Sequence, residues 1–325
     1  MNEAVCFHDQ LKDKTQESFR EAVISGLSAS PKSLSPKFFY DHLGSELFEQ
    51  ICRQPEYYLT RVEERILVQA LGEIAELAGP DSVLLELGSG ASRKIRLLLE
   101  TLRPSNYLGV DISREFLVES TRLLAADYPW LDVHAVWADF SRRMAMPQGL
   151  NGRRTLAFFP GSSIGNFEPT AAEAFLRDLR QMLPADSGLL IGVDLIKDEA
   201  RLNAAYNDAA GLTAQFNLNL LERMRRELGA ELDPSQFRHR AFYNAQAARI
   251  EMHLESKTRQ SICLGDRGFE FASAETLHTE NSCKYSIQGF RTMAQRAGFR
   301  PEAVWTDAEQ LFSVHYLSSG SPVSH

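Results

Sequence analysis

Residues 83–94 read Val83-Leu84-Leu85-Glu86-Leu87-Gly88-Ser89-Gly90-Ala91-Ser92-Arg93-Lys94, and Ile95 to Leu102 continue with helical spacing. A short apolar run that breaks into Gly-Ser-Gly and passes at once into a helix is the strand–turn–helix entry of a nucleotide-type pocket. Glycines suit it because a residue without Cβ lets the main chain turn tightly and lie close to a ligand. The dinucleotide fingerprint needs a third small residue three places beyond the second glycine, and Arg93 stands there, which argues against a nicotinamide or flavin cofactor. No Gly-Lys-Ser/Thr follows the turn, which argues against ATP.

Outward from this turn, three acids mark three successive strands. Glu86 precedes the turn, Asp111 ends the run Tyr107–Asp111, and Asp139, followed by Phe140, ends the run Val133–Ala138. An acid at the end of the second strand can hold ribose hydroxyls, and a carboxylate beside a ring can take the amino group and face of an adenine. Any one of these acids is equally a helix cap or a solvated turn. The ordered set suggests a nucleoside carrying little negative charge, and S-adenosylmethionine fits.

Strands and helices alternate on both sides: strand 83–87, helix 92–102, strand 106–111, helix 113–127, strand 132–138, strand 155–160, helix 169–183 and strand 188–194. The pattern predicts an α/β fold with a parallel, doubly wound sheet. Upstream, Thr60 with Glu63 three places on reads as a capping box opening a helix whose buried face is Ile66, Leu67, Ala70, Leu71, Ile74 and Leu77. The loop Phe158–Glu168 falls at a strand's carboxyl end, where open sheets bind ligands, with Asn166 either facing the ligand or serving as a turn residue.

Beyond Asp194 the alternation fails. Residues 197–228 read as two helices, with Tyr206, Asn207 and Asp208 on the first. The period then drops to two, as Ile250, Met252 and Leu254 alternate with Glu251, His253 and Glu255, an antiparallel strand whose other face, His253 included, meets solvent. Phe269-Glu270-Phe271 reads as another strand, so the segment is an insertion and not a further βα unit. Helix 287–297 and strands near 300–306 and 311–317 return to the sheet, and Ser318–His325 reads as a frayed tail. Residues 1–59 carry short helical patterns rich in aromatics, among which Tyr40 and Tyr57 are the better candidates for a polar ligand because a buried hydroxyl needs a partner.

The totals exclude several classes. At 325 residues, 44% apolar and 24% charged, the chain is an ordinary globular protein with room for two domains. A net charge of −8 without a basic stripe speaks against a nucleic-acid partner. The short clusters Arg223–Arg226 and Arg238–Arg240 read as solvated faces. Four cysteines lack C-x-x-C spacing and the eight histidines lack metal-ligand spacing, so no metal and no disulfide framework is expected. No apolar stretch is long enough for a membrane span, the start has no signal features, and the expected setting is cytoplasmic.

With these pieces in order, the chain resembles the histidine Nα-methyltransferases that make hercynine, N,N,N-trimethylhistidine, on the way to ergothioneine. The resemblance runs from about Pro31 to the end. It rests on Ser35-Pro36-Lys37-Phe38-Phe39-Tyr40-Asp41, Pro55-Glu56-Tyr57-Tyr58-Leu59-Thr60-Arg61, Glu86–Gly90, Gly161–Asn166, Ala205–Asp208, Arg249–Met252 and Thr279–Lys284. It implies a class I S-adenosylmethionine-dependent methyltransferase, a Rossmann-like doubly wound sheet, with an α+β substrate-binding domain formed by the N-terminal arm and the late insertion. The implied boundaries are 1–60 and 197–285 for the substrate-binding domain and 61–196 and 286–325 for the methyltransferase domain. It further implies that Gly88, Lys94, Asp111, Asp139 and Phe140 hold the cofactor, that Tyr40, Gly161, Asn166 and Tyr206 hold the amino acid's carboxylate and amine, and that Tyr57, Met252, Glu280 and Ser282 meet its imidazole. The expected partner is a small molecule, L-histidine, acting on a monomer. The iron-dependent oxygenase domain fused to some fungal relatives is absent from this sequence, so methylation alone is expected.

Methyl transfer from a sulfonium is an in-line displacement that needs an unprotonated amine, so positioning should dominate. An α-amino group with a pKa of about 8 in peptides must lose a proton before each methyl arrives. Tyr40 is the expected proton acceptor or relay and Asn166 an anchor that takes no proton; together they are the expected catalytic pair. Without the resemblance, Met252 reads equally as strand packing and Glu280 as a surface carboxylate. The competing readings are the same fold acting on another aromatic amino acid such as tryptophan, and a non-catalytic sensor of the cofactor or an amino acid. Gly161-Ser162-Ser163-Ile164-Gly165 has the letters of a hydrolase elbow but lacks convincing Asp and His partners.

Overall fold

The elements follow from runs that are apolar throughout or apolar at helical spacing. In this computed structural model, which describes residues 5–11, 18–90 and 93–320, the chain opens with β1 (Cys6–Asp9), α1 (Phe19–Ser28), a 3-10 turn at Pro36–Phe39 and α2 (His42–Ile51). There follow α3 (Tyr58–Ala78), β2 (Val83–Leu87), α4 (Arg93–Leu102), β3 (Asn106–Asp111), α5 (Arg114–Asp127), β4 (Asp132–Trp137), β5 (Thr155–Phe159), α6 (Pro169–Met182) and β6 (Gly188–Asp194). The insertion comprises α7 (Glu199–Ala205), α8 (Leu212–Leu228), β7 (Phe237–Asn244), β8 (Arg249–Ser256), β9 (Gln260–Leu264), β10 (Arg267–Phe271) and β11 (Thr276–Cys283). The chain closes with α9 (Ile287–Arg296), β12 (Arg300–Thr306) and β13 (Phe312–Ser318).

The chain divides into two units. Of the described residues, the first takes 5–11, 59–90, 93–196 and 283–320, and the second takes 18–58 and 197–282.

The first unit is an eight-stranded sheet in the order β1-β4-β3-β2-β5-β6-β13-β12. Strands β2, β5 and β6 are buried along their whole length, as expected of a parallel sheet covered on both faces. Val83, Leu85, Ala157, Phe159, Leu189 and Ile191 pack with Leu176, Phe290 and Met293 in its core. The order turns back between β2 and β5, which puts a topological switch point at their carboxyl ends. One strand departs from a purely parallel sheet: β13 runs antiparallel to both β6 and β12.

Other expectations for this unit need correction. The first strand was not foreseen. Cys6–Asp9 is short and half exposed, and it adds to the sheet beside β4, so residues 5–11 belong with the sheet and not with the aromatic arm. Helix α3 begins at Tyr58, not at Thr60, and Glu63 is no cap partner, because its side chain turns inward and is fully buried. Ser92, expected as the first residue of α4, lies outside the described residues, as do residues 321–325 of the expected tail. Ser319 is not frayed: it is buried, and its main-chain N–H donates to the Ser187 carbonyl.

The second unit contains a three-stranded sheet, β11-β8-β7, and a β9–β10 hairpin, all antiparallel where register is seen, together with α1, α2, α7 and α8. Asp41 caps α2 by accepting from the Gly44 N–H, and Asn219 and Arg226 of α8 both donate to its carboxylate. Helix α7 stops at Ala205, so Tyr206, Asn207 and Asp208 lie past its end. Asp208 accepts from the N–H groups of Leu212 and Thr213 at the start of α8. The far face of β8 does not meet solvent. Glu255 is buried beneath Arg238 and Arg240, and the His253 ring stacks between Phe242 and His278. Arg223, read as a solvated residue, lies largely buried against the Phe19 ring and donates to the Phe38 carbonyl.

Candidate functional site

On the first unit, the carboxyl ends of β2, β3 and β4 gather the expected cofactor residues. Gly88 follows β2 with φ +72°, a left-handed conformation that favours glycine, while a Cβ there would make only ordinary contact, 3.5 Å, with the Phe140 ring, so it is the turn and not the space that calls for glycine. The ring is held edge-on against Phe159 and Phe175. Asp111 ends β3 and accepts from the Gly90 N–H at 3.1 Å and the Ser113 N–H at 2.9 Å. Burial raises its pKa, and these N–H donors oppose the rise. Asp139 is buried and accepts from both the main chain and the hydroxyl of Ser141.

Glu86 differs from the other two acids. It lies inside β2, buried, and accepts from the Tyr107 hydroxyl at 2.7 Å. Burial pushes its pKa up to about 8, against the pull of Tyr107 and Lys94. Two carboxylates at strand ends, a half-buried ring and a glycine turn, with Lys94 paired to the Glu63 carboxylate, fit a nucleoside sulfonium better than a phosphate.

The loop after β5 lies on the same unit. Gly161 has φ +76°, and its N–H donates to both oxygens of Glu63, at 3.0 and 2.9 Å. That N–H is therefore taken, and the carbonyl is the group Gly161 can present. Ser162 is also left-handed, and its hydroxyl oxygen accepts from the Asp194 N–H at the end of β6, 2.9 Å away. Ser163 donates to the Pro160 carbonyl, and Asn166 ends the short 3-10 turn Ser163–Asn166, half-buried.

Glu63 is the residue that sequence reasoning misplaced. The signal was present: Glu63 is in phase with Ile66, Leu67 and Ala70, the buried stripe of α3, and a carboxylate on such a stripe needs paired donors. Its donors are Gly161 and the Lys94 ammonium. Lys284 and Asp194 were missed likewise; they form an ion pair at 2.7 Å with neither side chain exposed.

The second unit gathers the other expected site residues. Tyr40 packs its ring edge-on against Phe48 and Phe216, and Tyr57 packs against Phe48 and Tyr206. Burial holds the Tyr57 phenol well above its ordinary pKa, with Tyr206, Cys52, Tyr40 and Glu280 pushing the same way, so Tyr57 keeps its proton. Glu280 and Ser282 are buried on β11, two residues apart and hence on one face. Met252 is buried on the adjacent β8, and its carbonyl accepts from the Thr279 hydroxyl. The Tyr206 hydroxyl donates to the Ser282 hydroxyl at 2.7 Å, which joins two residues that the resemblance assigns to opposite ends of the amino acid. The main chain of Tyr206 is fixed by His239, whose ring lies 2.9 Å from its carbonyl.

Among the described residues, no group of three His, Cys, Asp or Glu is placed to hold a metal ion, and no helix is long and apolar enough to cross a membrane.

Comparison with known proteins adds to this geometry. Residues 19–319 match the family model of the histidine-specific, SAM-dependent methyltransferases. The chain is 41% identical over 301 residues to a histidine N-alpha-methyltransferase of Mycolicibacterium smegmatis, covering 91% of this chain and 93% of that protein. A protein of the same description from Mycobacterium tuberculosis is 40% identical over 303 residues, with the same coverage. Ergothioneine biosynthesis protein 1 of Neurospora crassa is 30% identical over 309 residues, which are 89% of this chain and 33% of that longer protein.

Proposed function

The chain belongs to the histidine-specific, S-adenosylmethionine-dependent methyltransferases, and on that premise we propose that it methylates the α-amino nitrogen of L-histidine three times, giving hercynine for ergothioneine biosynthesis. The observation that carries the proposal is the cluster on the second unit, where Tyr40, Tyr57, Tyr206, Glu280 and Ser282 bring hydroxyls and a carboxylate into a buried, aromatic-walled setting.

The donor supplies an electrophilic methyl group on a sulfonium sulfur. Gly88, Lys94, Asp111, Asp139 and Phe140 are the residues proposed to hold it. Asn166 and the Gly161 carbonyl orient the amino acid's amine and carboxylate. Tyr40 receives or relays the proton that must leave the ammonium before each transfer. Tyr57 stays protonated and donates. Glu280 and Ser282 pair with the imidazole nitrogens, and Met252 forms an adaptable apolar wall beside the ring. Tyr206 serves the carboxylate by turning its hydroxyl away from Ser282. Ser282 is then left to the ring.

An acceptor lacking the imidazole forgoes the hydrogen bonds that Glu280 and Ser282 offer the ring nitrogens, at a cost of about 1–3 kcal/mol in all, which is the basis of selectivity. Incubation with S-adenosylmethionine and each common amino acid separately, followed by release of S-adenosylhomocysteine, tests this. Histidine should be the preferred acceptor, whereas equal or faster turnover of tryptophan would remove the imidazole assignment. The proposal extends to a monomer in a reducing cytoplasm, in keeping with four free cysteines. Light scattering and cell fractionation test those two points.

A further inference from the structure

We infer that Glu63 is a positioning residue that holds the loop Gly161–Asn166 and the Lys94 side chain in one fixed arrangement on the first unit. The inference rests on the methyltransferase reading above.

Three elements converge on this carboxylate. The Gly161 N–H reaches both of its oxygens, Lys94 of the first turn of α4 reaches Oε2, and β6 makes room for it. A Cβ placed on Gly192 of β6 would sit 2.0 Å from Glu63 Oε1, so the glycine is what admits the carboxylate to the sheet. The Cβ position of Gly161 itself is 3.7 Å from Lys94 Nζ, so loop and lysine lie in ordinary contact beside the carboxylate that both bind.

A buried ion pair is a weak device for stability, because desolvating both charges offsets much of their attraction. Its geometric effect is stronger. The Gly161 amide is anchored at one end of the loop, and Ser162, bonded to the Asp194 amide, is anchored beside it. Asn166 hangs from that anchored segment. Pairing with Glu63 also neutralises Lys94, so the ammonium does not stand as an uncompensated positive charge near residues proposed to bind a cationic sulfonium. Glu63 and Lys94 both act on the ionisation of Glu86, which places the pair within electrostatic reach of the glycine turn.

Two variants separate reach from charge. Glu63→Asp keeps the charge opposite Lys94 but cannot span to the Gly161 amide as Glu does. Glu63→Gln keeps the length and an acceptor for that amide but removes the charge. Each is compared with wild type by thermal melting, calorimetric binding of S-adenosylhomocysteine, and kcat and KM for histidine and S-adenosylmethionine. A displacement of about 1 Å at a positioning group can lower kcat by about 10²-fold, and that loss is expected for Glu63→Asp, with cooperative melting retained. Its S-adenosylhomocysteine affinity and histidine KM should stay within about threefold of wild type. Glu63→Gln should lose less kcat than Glu63→Asp and should raise the KM for S-adenosylmethionine, whose sulfonium then meets the uncompensated Lys94 ammonium, more than it weakens binding of S-adenosylhomocysteine, whose sulfur is uncharged. Wild-type kcat in Glu63→Asp would overturn the inference. So would activity lost only in proportion to folded protein in both variants, including the case in which neither folds. If wild type itself fails to methylate histidine, the proposed function falls instead.

Discussion

The two units set their proposed sites by different parts of the residue. On the first unit the proposed site is held in place by main chain at strand ends: the Gly88 turn, the Gly90 amide donating to Asp111, and the Gly161 amide donating to Glu63. On the second it is side chain: Glu280 and Ser282 on one face of β11, Met252 on β8, and tyrosines from the arm and from the end of α7. A main-chain site is fixed by the fold, so it tolerates few changes of backbone and many of neighbouring side chain. A side-chain site is retuned by single substitutions. Donor chemistry common to a family suits the former, and choice of acceptor suits the latter.

The largest expected effect tests how far the first unit depends on a charge pair that the sheet encloses. Lys284→Ala leaves Asp194 buried without its ammonium and should destabilise the protein by about 3–5 kcal/mol, whereas Lys284→Met with Asp194→Leu should be far milder. Denaturant titration at fixed pH reads both.

The next effect concerns pH. Glu86 has a folded pKa of about 8 against an ordinary 4.5. Between those values the native state keeps a proton that the unfolded chain releases, so wild-type stability falls as pH rises through that window and levels off above it. Glu86→Gln carries no such penalty. Its stability relative to wild type should rise by up to about 3 kcal/mol between pH about 5 and about 8, measured by denaturant unfolding at both pH values.

On the second unit, Glu280→Ala should relax acceptor choice by about 1–3 kcal/mol in relative kcat/KM for histidine against other aromatic amino acids, with S-adenosylhomocysteine affinity unchanged. Competition assays with paired substrates read the ratio. The smallest effect returns to the first unit. Gly88→Ala puts a Cβ on a left-handed residue beside Phe140, costing about 1 kcal/mol. It should weaken S-adenosylhomocysteine binding in calorimetry and leave acceptor ratios intact. Should Glu280→Ala disturb the donor, or Gly88→Ala the acceptor ratios, the contrast between the units fails.

The same contrast explains what could be read in the sequence. Strands β2, β3 and β6 fall on the apolar runs, because an enclosed parallel strand is apolar almost throughout. The four residues of β1 carry no such run, and the reversal of β13 leaves no trace in periodicity, since a buried strand looks alike in either direction. His253 was placed in solvent by alternation alone. Its burial comes from the Phe242 and His278 rings, which no local pattern on β8 reveals. Glu63 was read through a capping motif although its helical phase pointed inward. The imidazole set was named only through resemblance to a family, because single side chains on β8 and β11 have no spacing signature. The Tyr206–Ser282 bond joins residues 76 apart and lay beyond either route.

The most direct test is tandem mass spectrometry of the product from L-histidine and S-adenosylmethionine with purified protein. The account predicts a product heavier by three CH2 units that loses trimethylamine on fragmentation, which locates every methyl on the α-nitrogen. Methyl groups retained on the imidazole fragment, or no methylated histidine while S-adenosylhomocysteine still binds, would contradict it.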